Sequence, residues 1–157
     1  MSSEARLAEK LSELKLLLPP PATPKGVYKP LMIVGNLVYT SGHLPVRPDG
    51  TMVTGRLGAE LDVAAGYDAA RLVGLGILST LRKEFETLDN VFRLVKLFGV
   101  VNCMPDFTQQ PAVINGCSEL FAAVFGPDHG VAARSAIGTN TLPLGVPVEI
   151  EAIFELG

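Results

Sequence analysis

The sequence predicts an α+β layer fold, a β-sheet with its helices gathered on one face. Three observations carry that prediction. Strand-like and helix-like stretches run in the order β-β-(β)-α-β-α-β-β. The final stretch, Val146–Leu156, alternates apolar and acidic residues with the period of a strand that has one buried face. Between the strands lie two apolar-striped segments long enough to be helices.

The elements follow in chain order. Leu7, Leu11, Leu14 and Leu18 recur at helical spacing, with Ser3 as cap and Glu4 at the positive end of the dipole. Pro19, Pro20, Pro21 and Pro24 stop that helix, and Pro19 to Gly26 reads as a stiff linker. Residues 1–25 are therefore taken as an arm packed on a single domain at 26–157. Leu31–Val34 and Leu37–Ser41 flank Gly35-Asn36, a short-turn dipeptide, and form a hairpin. Pro45 to Gly50 is a loop, and Thr51–Thr54 a short edge strand. A long helix runs from Asp62 to about Phe85, where Gly66, Gly74 and Gly76 permit close packing.

Leu88-Asp89-Asn90 turns the chain into Val91–Val101, a strand rich in branched residues and read as central. Pro105 and Asp106 open a second helix over Phe107 to about Phe125, closed by Gly126-Pro127. Ala133–Thr139 and Val146–Leu156 are strands, joined by a turn at Leu142–Gly145.

Composition bounds the function. At 157 residues the chain is one domain of ordinary size. Apolar residues make up 48% and charged residues 18%, against a usual charged share of about 25%. That excludes a disordered chain and implies a surface covered in part by another subunit. Thirteen basic against sixteen acidic residues leave a net charge of −3, with no basic cluster to hold a polyanion. Cys103 and Cys117 form neither a CxxC pair nor a disulfide framework and read as free thiols in a reducing cytoplasm. No apolar run reaches the length of a membrane span, and no secretory signal opens the chain.

Several familiar sites are excluded. Gly50 and Gly55 precede Arg56-Leu57, not the Lys-Ser/Thr of a phosphate loop. Gly74-Leu75-Gly76 lies inside an apolar helix and follows no strand, so it is no dinucleotide fingerprint. His43 and His129 lack a third ligand at zinc spacing, and Ser41 with His43 lacks the flanking glycines of a nucleophile elbow. No metal and no cofactor is expected.

Arg134 stands apart, a permanent cation amid small residues in Ala-Ala-Arg-Ser-Ala-Ile-Gly. Two readings are open on local sequence. It forms a structural ion pair with Glu149 or Glu151, or it is a fork awaiting a ligand carboxylate.

The residues around it resemble a known family. Arg134-Ser135-Ala136, Leu142-Pro143 and Val148-Glu149-Ile150-Glu151-Ala152 are similar to the C-terminal signature of the RidA/YjgF family of enamine/imine deaminases, also labelled endoribonuclease L-PSP. Tyr28 followed by Gly35 through Pro45 resembles that family's N-terminal hairpin, and Phe107 through Asn115 and Phe125 its second helix. The likeness covers roughly residues 26–156 in three separated motifs.

The resemblance implies a chorismate-mutase-like subunit in a homotrimer, with sheets forming an inner barrel and sites in the clefts between subunits. It implies that Arg134 clamps the substrate carboxylate and Glu149 holds the attacking water. Tyr28 would pack on the substrate, and Ser41, Gly42 and Asn115 would line the cleft, with backbone near Ala136 helping to hold the carboxylate. The implied substrates are 2-aminoacrylate-like enamines and 2-imino acids, such as 2-iminobutanoate and 2-iminopropanoate. The products are 2-keto acids and ammonia. A trimer that binds small carboxylate metabolites without turnover is the alternative, distinguished by having no use for Glu149. Ribonuclease action is disfavoured by the net charge of −3.

Departures from the pattern are Ala136, where cysteine is common, His43, where glutamine is frequent, and the extended N-terminal arm.

Overall fold

The computed structural model describes residues 1–157. Ser2, not Ser3, caps the first helix. Its Oγ accepts from the Ala5 N–H at 3.2 Å, and α1 spans Ser3–Leu14. The helix ends before the prolines, at Lys15 in the left-handed conformation (φ 55°), so Leu18 belongs to the linker. The Pro19 carbonyl accepts from Ser79 Oγ at 2.8 Å. Glu4 ties α1 down twice, to Arg82 Nε at 2.7 Å and to the Leu88 N–H at 3.0 Å. Leu7 is wholly buried in the core.

β1 (Leu31–Val34) and β2 (Leu37–Thr40) form the expected hairpin. Its turn needs positive φ only at Gly35 (61°), the pattern of a glycine-first hairpin turn. Thr51–Thr54 is not a strand. It makes one bridge, Met52 to Val46, because Gly50 (φ 87°) and Gly55 (φ 125°) bend the chain at both ends. α2 spans Val63–Phe85, capped by Asp62, whose carboxylate accepts from the Ala65 N–H at 2.8 Å. β3 is Val91–Asn102. α3 begins at Gln110, three residues later than Phe107, because Phe107 closes a turn on Met104 and Pro111 opens the first helical turn, and it runs to Phe125. β4 is Ala133–Thr139, and β5 is Val148–Leu156.

The strands form one mixed sheet in the order β1-β2-β5-β3-β4. β5 is therefore central, and β3 sits between β5 and the edge strand β4. Only the β3–β4 pair is parallel, as the crossover through α3 requires. On β5, Val148, Ile150, Ala152 and Phe154 point inward, while Glu149 and Glu151 take the other face.

α2 and α3 cover one sheet face, and α1 packs on α3. Phe121, Phe125 and Phe154 cluster between helix and strand with ring centroids 5.6–6.1 Å apart. The two helices approach closely at Gly116, where a Cβ would collide with the backbone carbonyl of Tyr67. Gly74 is likewise hemmed in by Cys117 and Leu120, but Gly76 has open space and plays no packing role. The opposite sheet face is bare in the single chain, and Met32, Val34, Tyr39 and Ile137 are all exposed there. No helix is long and apolar enough to cross a membrane.

Candidate functional site

Arg134 enters the sheet as the second residue of β4, paired in register with the buried Leu97 of β3. Side chains of paired residues share a sheet face, so Arg134 points toward the helices. There its Nη1 donates to Asn115 Oδ1 at 2.7 Å and to Ser118 Oγ at 3.2 Å. Asn115 and Ser118 stand three residues apart on α3 and so lie on one helix face. No carboxylate of the chain pairs with this guanidinium. The ion pair with Glu149 or Glu151 is excluded by topology, because β3 separates β4 from β5. Ala136 lies one pleat beyond Arg134, partly buried against the core. β4 is an edge strand, so alternate backbone N–H groups beside Ala136 have no ladder partner.

Glu149 sits on the other sheet face, paired with Val100. It makes no ion pair and accepts no hydrogen bond from any protein group. Burial, with a smaller push from the neighbouring Glu151 charge, holds its carboxyl above the usual carboxylate range. Gly42 is the floor against which it lies. A Cβ at Gly42 would come within 2.7 Å of Glu149 Oε1 and 2.9 Å of Cδ, so only glycine lets the carboxylate rest there.

Ser41 is anchored just before it. Its N–H donates to the Pro30 carbonyl at 2.8 Å, and its hydroxyl donates to the Lys29 carbonyl. Tyr28, one residue further back, is 53% exposed, with its ring against Gly26.

His43, a departure from the family pattern, turns out to brace this segment. Its backbone exchanges two hydrogen bonds with Ile150. Its ring is buried, with Nδ1 2.7 Å from the Ser41 carbonyl and Nε2 2.8 Å from Thr80 Oγ1. A carbonyl only accepts, so Nδ1 carries the proton and Nε2 accepts from the threonine hydroxyl. Burial pulls the imidazole below its ordinary range, partly offset by the Ser41 bond, and the ring is neutral at pH 7.

The expected site residues thus sort into two groups. Arg134, Asn115 and Ala136 meet at the α3–β4 junction. Ser41, Gly42 and Glu149 meet where β2 runs on past β5, with Tyr28 on the chain leading in. Sequence reading missed Ser118, whose signal was its position three residues after Asn115 on the same helix. It also missed Thr80, which carried no signal, because its partner lies 37 positions away. No group of three or more His, Cys, Asp or Glu side chains is gathered to hold a metal.

The family described as "YjgF/chorismate mutase-like, putative endoribonuclease" matches residues 8–153. Protein TCP17 of Trypanosoma cruzi is 40% identical over 98% of this chain and 96% of its own length. A crystal structure of an Agrobacterium tumefaciens protein of unknown function superposes with a TM-score of 0.88 at 38% identity, over 98% of this chain and 94% of that one. E. coli TdcF, solved with bound serine, gives a TM-score of 0.59 at 26% identity, over 89% of this chain and 94% of that one. The first two matches extend into the N-terminal arm.

Proposed function

The chain belongs to the YjgF/chorismate mutase-like family, and from that premise we propose that it hydrolyses 2-imino acids and their enamine tautomers to 2-keto acids and ammonia. The observation that carries this reading is the state of Arg134. It is a part-buried guanidinium braced by two neutral side chains and paired with no acid of its own chain. A cation so placed favours an anion supplied from outside. The serine bound to TdcF, an amino acid with a free carboxylate, is a ligand of the same class.

Arg134 and Glu149 lie on opposite faces of one sheet, so a single chain does not bring both to one small substrate. The reading is therefore of a site shared between copies, in the homotrimer that the family resemblance implies. The bare apolar sheet face is what a neighbouring copy would cover, and the Arg134 group of one copy would meet the Glu149 group of the next.

The chemistry suits these residues. An imine carbon is already electrophilic and needs no covalent nucleophile. Arg134 holds the substrate carboxylate and fixes the carbon in place, a proximity effect. Water adds to that carbon as Glu149 takes one of its protons, and the imine nitrogen takes up a proton from solvent, giving a carbinolamine. Glu149 then returns its proton to the amine, the C–N bond breaks with its electron pair going to nitrogen, and the carbonyl forms as the hydroxyl proton is lost. A carboxyl held above its ordinary range is the better for this, being a stronger base when ionised. Ala136 contributes backbone only, so the step requires no thiol.

Ribonuclease chemistry has less support. His43 is spent on Ser41 and Thr80, and His129 lies elsewhere, its ring tilted against that of Phe92 with centroids 4.6 Å apart.

The test is a coupled assay. An amino-acid oxidase generates a panel of 2-imino acids, and ammonia release is followed with and without the protein. Acceleration that disappears in Arg134→Ala and Glu149→Ala supports the reading. Binding of 2-keto acids with no acceleration would make the protein a carboxylate-binding trimer instead.

A further inference from the structure

We propose that Ser118 is a positioning residue which, together with Asn115, turns Arg134 into a side-on carboxylate fork. The inference rests on the reading of Arg134 as the substrate grip.

A guanidinium has five N–H donors on three nitrogens. It can meet a carboxylate end-on, through Nη1 and Nη2, or side-on, through Nε and Nη2. In this chain both Nη1 hydrogens are committed, one to Asn115 Oδ1 at 2.7 Å and the other to Ser118 Oγ at 3.2 Å. The end-on pair is thereby removed. Nε and Nη2 donate to no protein group, and their parallel N–H bonds form the one edge left for a ligand.

The bracing is also directional. Asn115 alone would leave the guanidinium free to pivot about a single hydrogen bond. A second acceptor one helical turn along α3 fixes the plane of the fork. Both braces are neutral, so they orient the cation without cancelling its charge. Asn115, expected to line the cleft, acts on this geometry through the arginine.

The consequence is specific. Ser118 touches no substrate atom, yet its hydroxyl determines how well a planar, charged carboxylate is distinguished from a neutral analogue of the same shape. Freed from Ser118, the guanidinium regains an Nη1–H and a rotational freedom that the substrate must then quench. That cost falls on binding, in ground state and transition state alike, so KM changes and kcat does not.

The experiment uses the full chain and two readouts. Dissociation constants are measured for 2-oxobutanoate and for its amide, 2-oxobutanamide, alongside KM and kcat in the coupled ammonia assay. Ser118→Ala is expected to raise KM about fivefold to tenfold, less than complete loss of one charge-assisted hydrogen bond would give, with kcat within about twofold. The acid-over-amide preference shrinks by a similar factor. Ser118→Thr, which restores the hydroxyl, recovers both. Ser118→Cys, of similar volume but a weak acceptor, behaves like alanine. Unchanged KM and unchanged acid-over-amide preference in Ser118→Ala would overturn the proposal, as would a failure of threonine to rescue in a variant of normal Tm. A wild-type protein that prefers acid to amide but releases no ammonia would defeat the deaminase reading alone, because the binding readout still decides the role of Ser118.

Discussion

Arg134 and Glu149 point to opposite faces of one sheet, from strands separated by β3. Leu97, the register partner of Arg134, is buried under α3, while Val100, the partner of Glu149, is on the bare face. The two residues with the strongest claim on the chemistry are thus held apart by the architecture of their own chain. Each has its own support, α3 for the arginine and Gly42 for the glutamate.

The Gly42 support predicts a separation of activity from stability. In Gly42→Ala the new methyl group displaces a side chain whose far end can swing away, and Gly42 has no positive φ to strain. Turnover should fall by about 100-fold, toward that of Glu149→Gln, as expected for a lost acid–base group. Tm should move only slightly. Measuring ammonia release and thermal unfolding on the same preparations checks this. A large fall in Tm with turnover retained per folded molecule would contradict it.

The glutamate itself should carry a stability cost at neutral pH. Its carboxyl is raised in the fold, so the folded state binds the proton more tightly than the unfolded chain. That contribution is present at low pH and lost as pH rises through the folded value. In an Arg134→Ala background, which removes the neighbouring copy's cation, adding Glu149→Gln should therefore raise thermostability at pH 7 and leave it unchanged near pH 4. Glu151→Gln removes the like charge that adds to the shift, so it should move the acid limb of kcat/KM to lower pH. A limb that stays in place or moves upward would show that Glu149 is not the titrating base.

His43 predicts pH dependence of the opposite sign. Its folded value is depressed by burial, so the unfolded chain binds the proton more readily. Stability from this group is full above about pH 6.5, the unfolded value, and falls as pH drops toward the folded value. His43→Gln keeps a polar side chain that spans Ser41 and Thr80 but does not titrate there. The difference in Tm between wild type and this variant should change between pH 7 and pH 5. A constant difference across that range would contradict the neutral, Nδ1-protonated ring.

Two glycines of similar appearance should respond oppositely to alanine. At Gly116 the Cβ meets the Tyr67 carbonyl, which is backbone and cannot give way, so Gly116→Ala should cost about 3 kcal/mol or more. At Gly76 nothing lies within 4 Å, and the helix gains the propensity difference of about 1 kcal/mol. Denaturant unfolding of both variants measures the contrast.

Much of this fold was legible because the information was local. The Gly35-Asn36 hairpin, the start of α2 beside Asp62 and the alternation on β5 each depend on residues a few positions apart, and each appears within a residue of its reading. What misled was long-range. Val91–Val101 is an interior strand, as its composition implies, but nothing local shows that the last strand, β5, lies between it and the hairpin. Gly74 and Gly76 are equivalent in the sequence, yet two residues are about 200° around a helix, so one meets α3 and the other does not. Arg134 was recognisable as anomalous, but its partners were not, because the Asn115 and Ser118 contacts depend on how the crossover seats α3 over β4.

An active centre that draws Arg134 from one copy and Glu149 from another can be rebuilt from two inactive variants, Arg134→Ala and Glu149→Ala, mixed through co-expression or unfolding and reassembly. In a randomly mixed ring each site takes its arginine and its glutamate independently, so about a quarter of the sites should be intact. Ammonia release should recover to about that fraction of wild type. Mixed assemblies that form but stay as inactive as either variant alone would contradict the account.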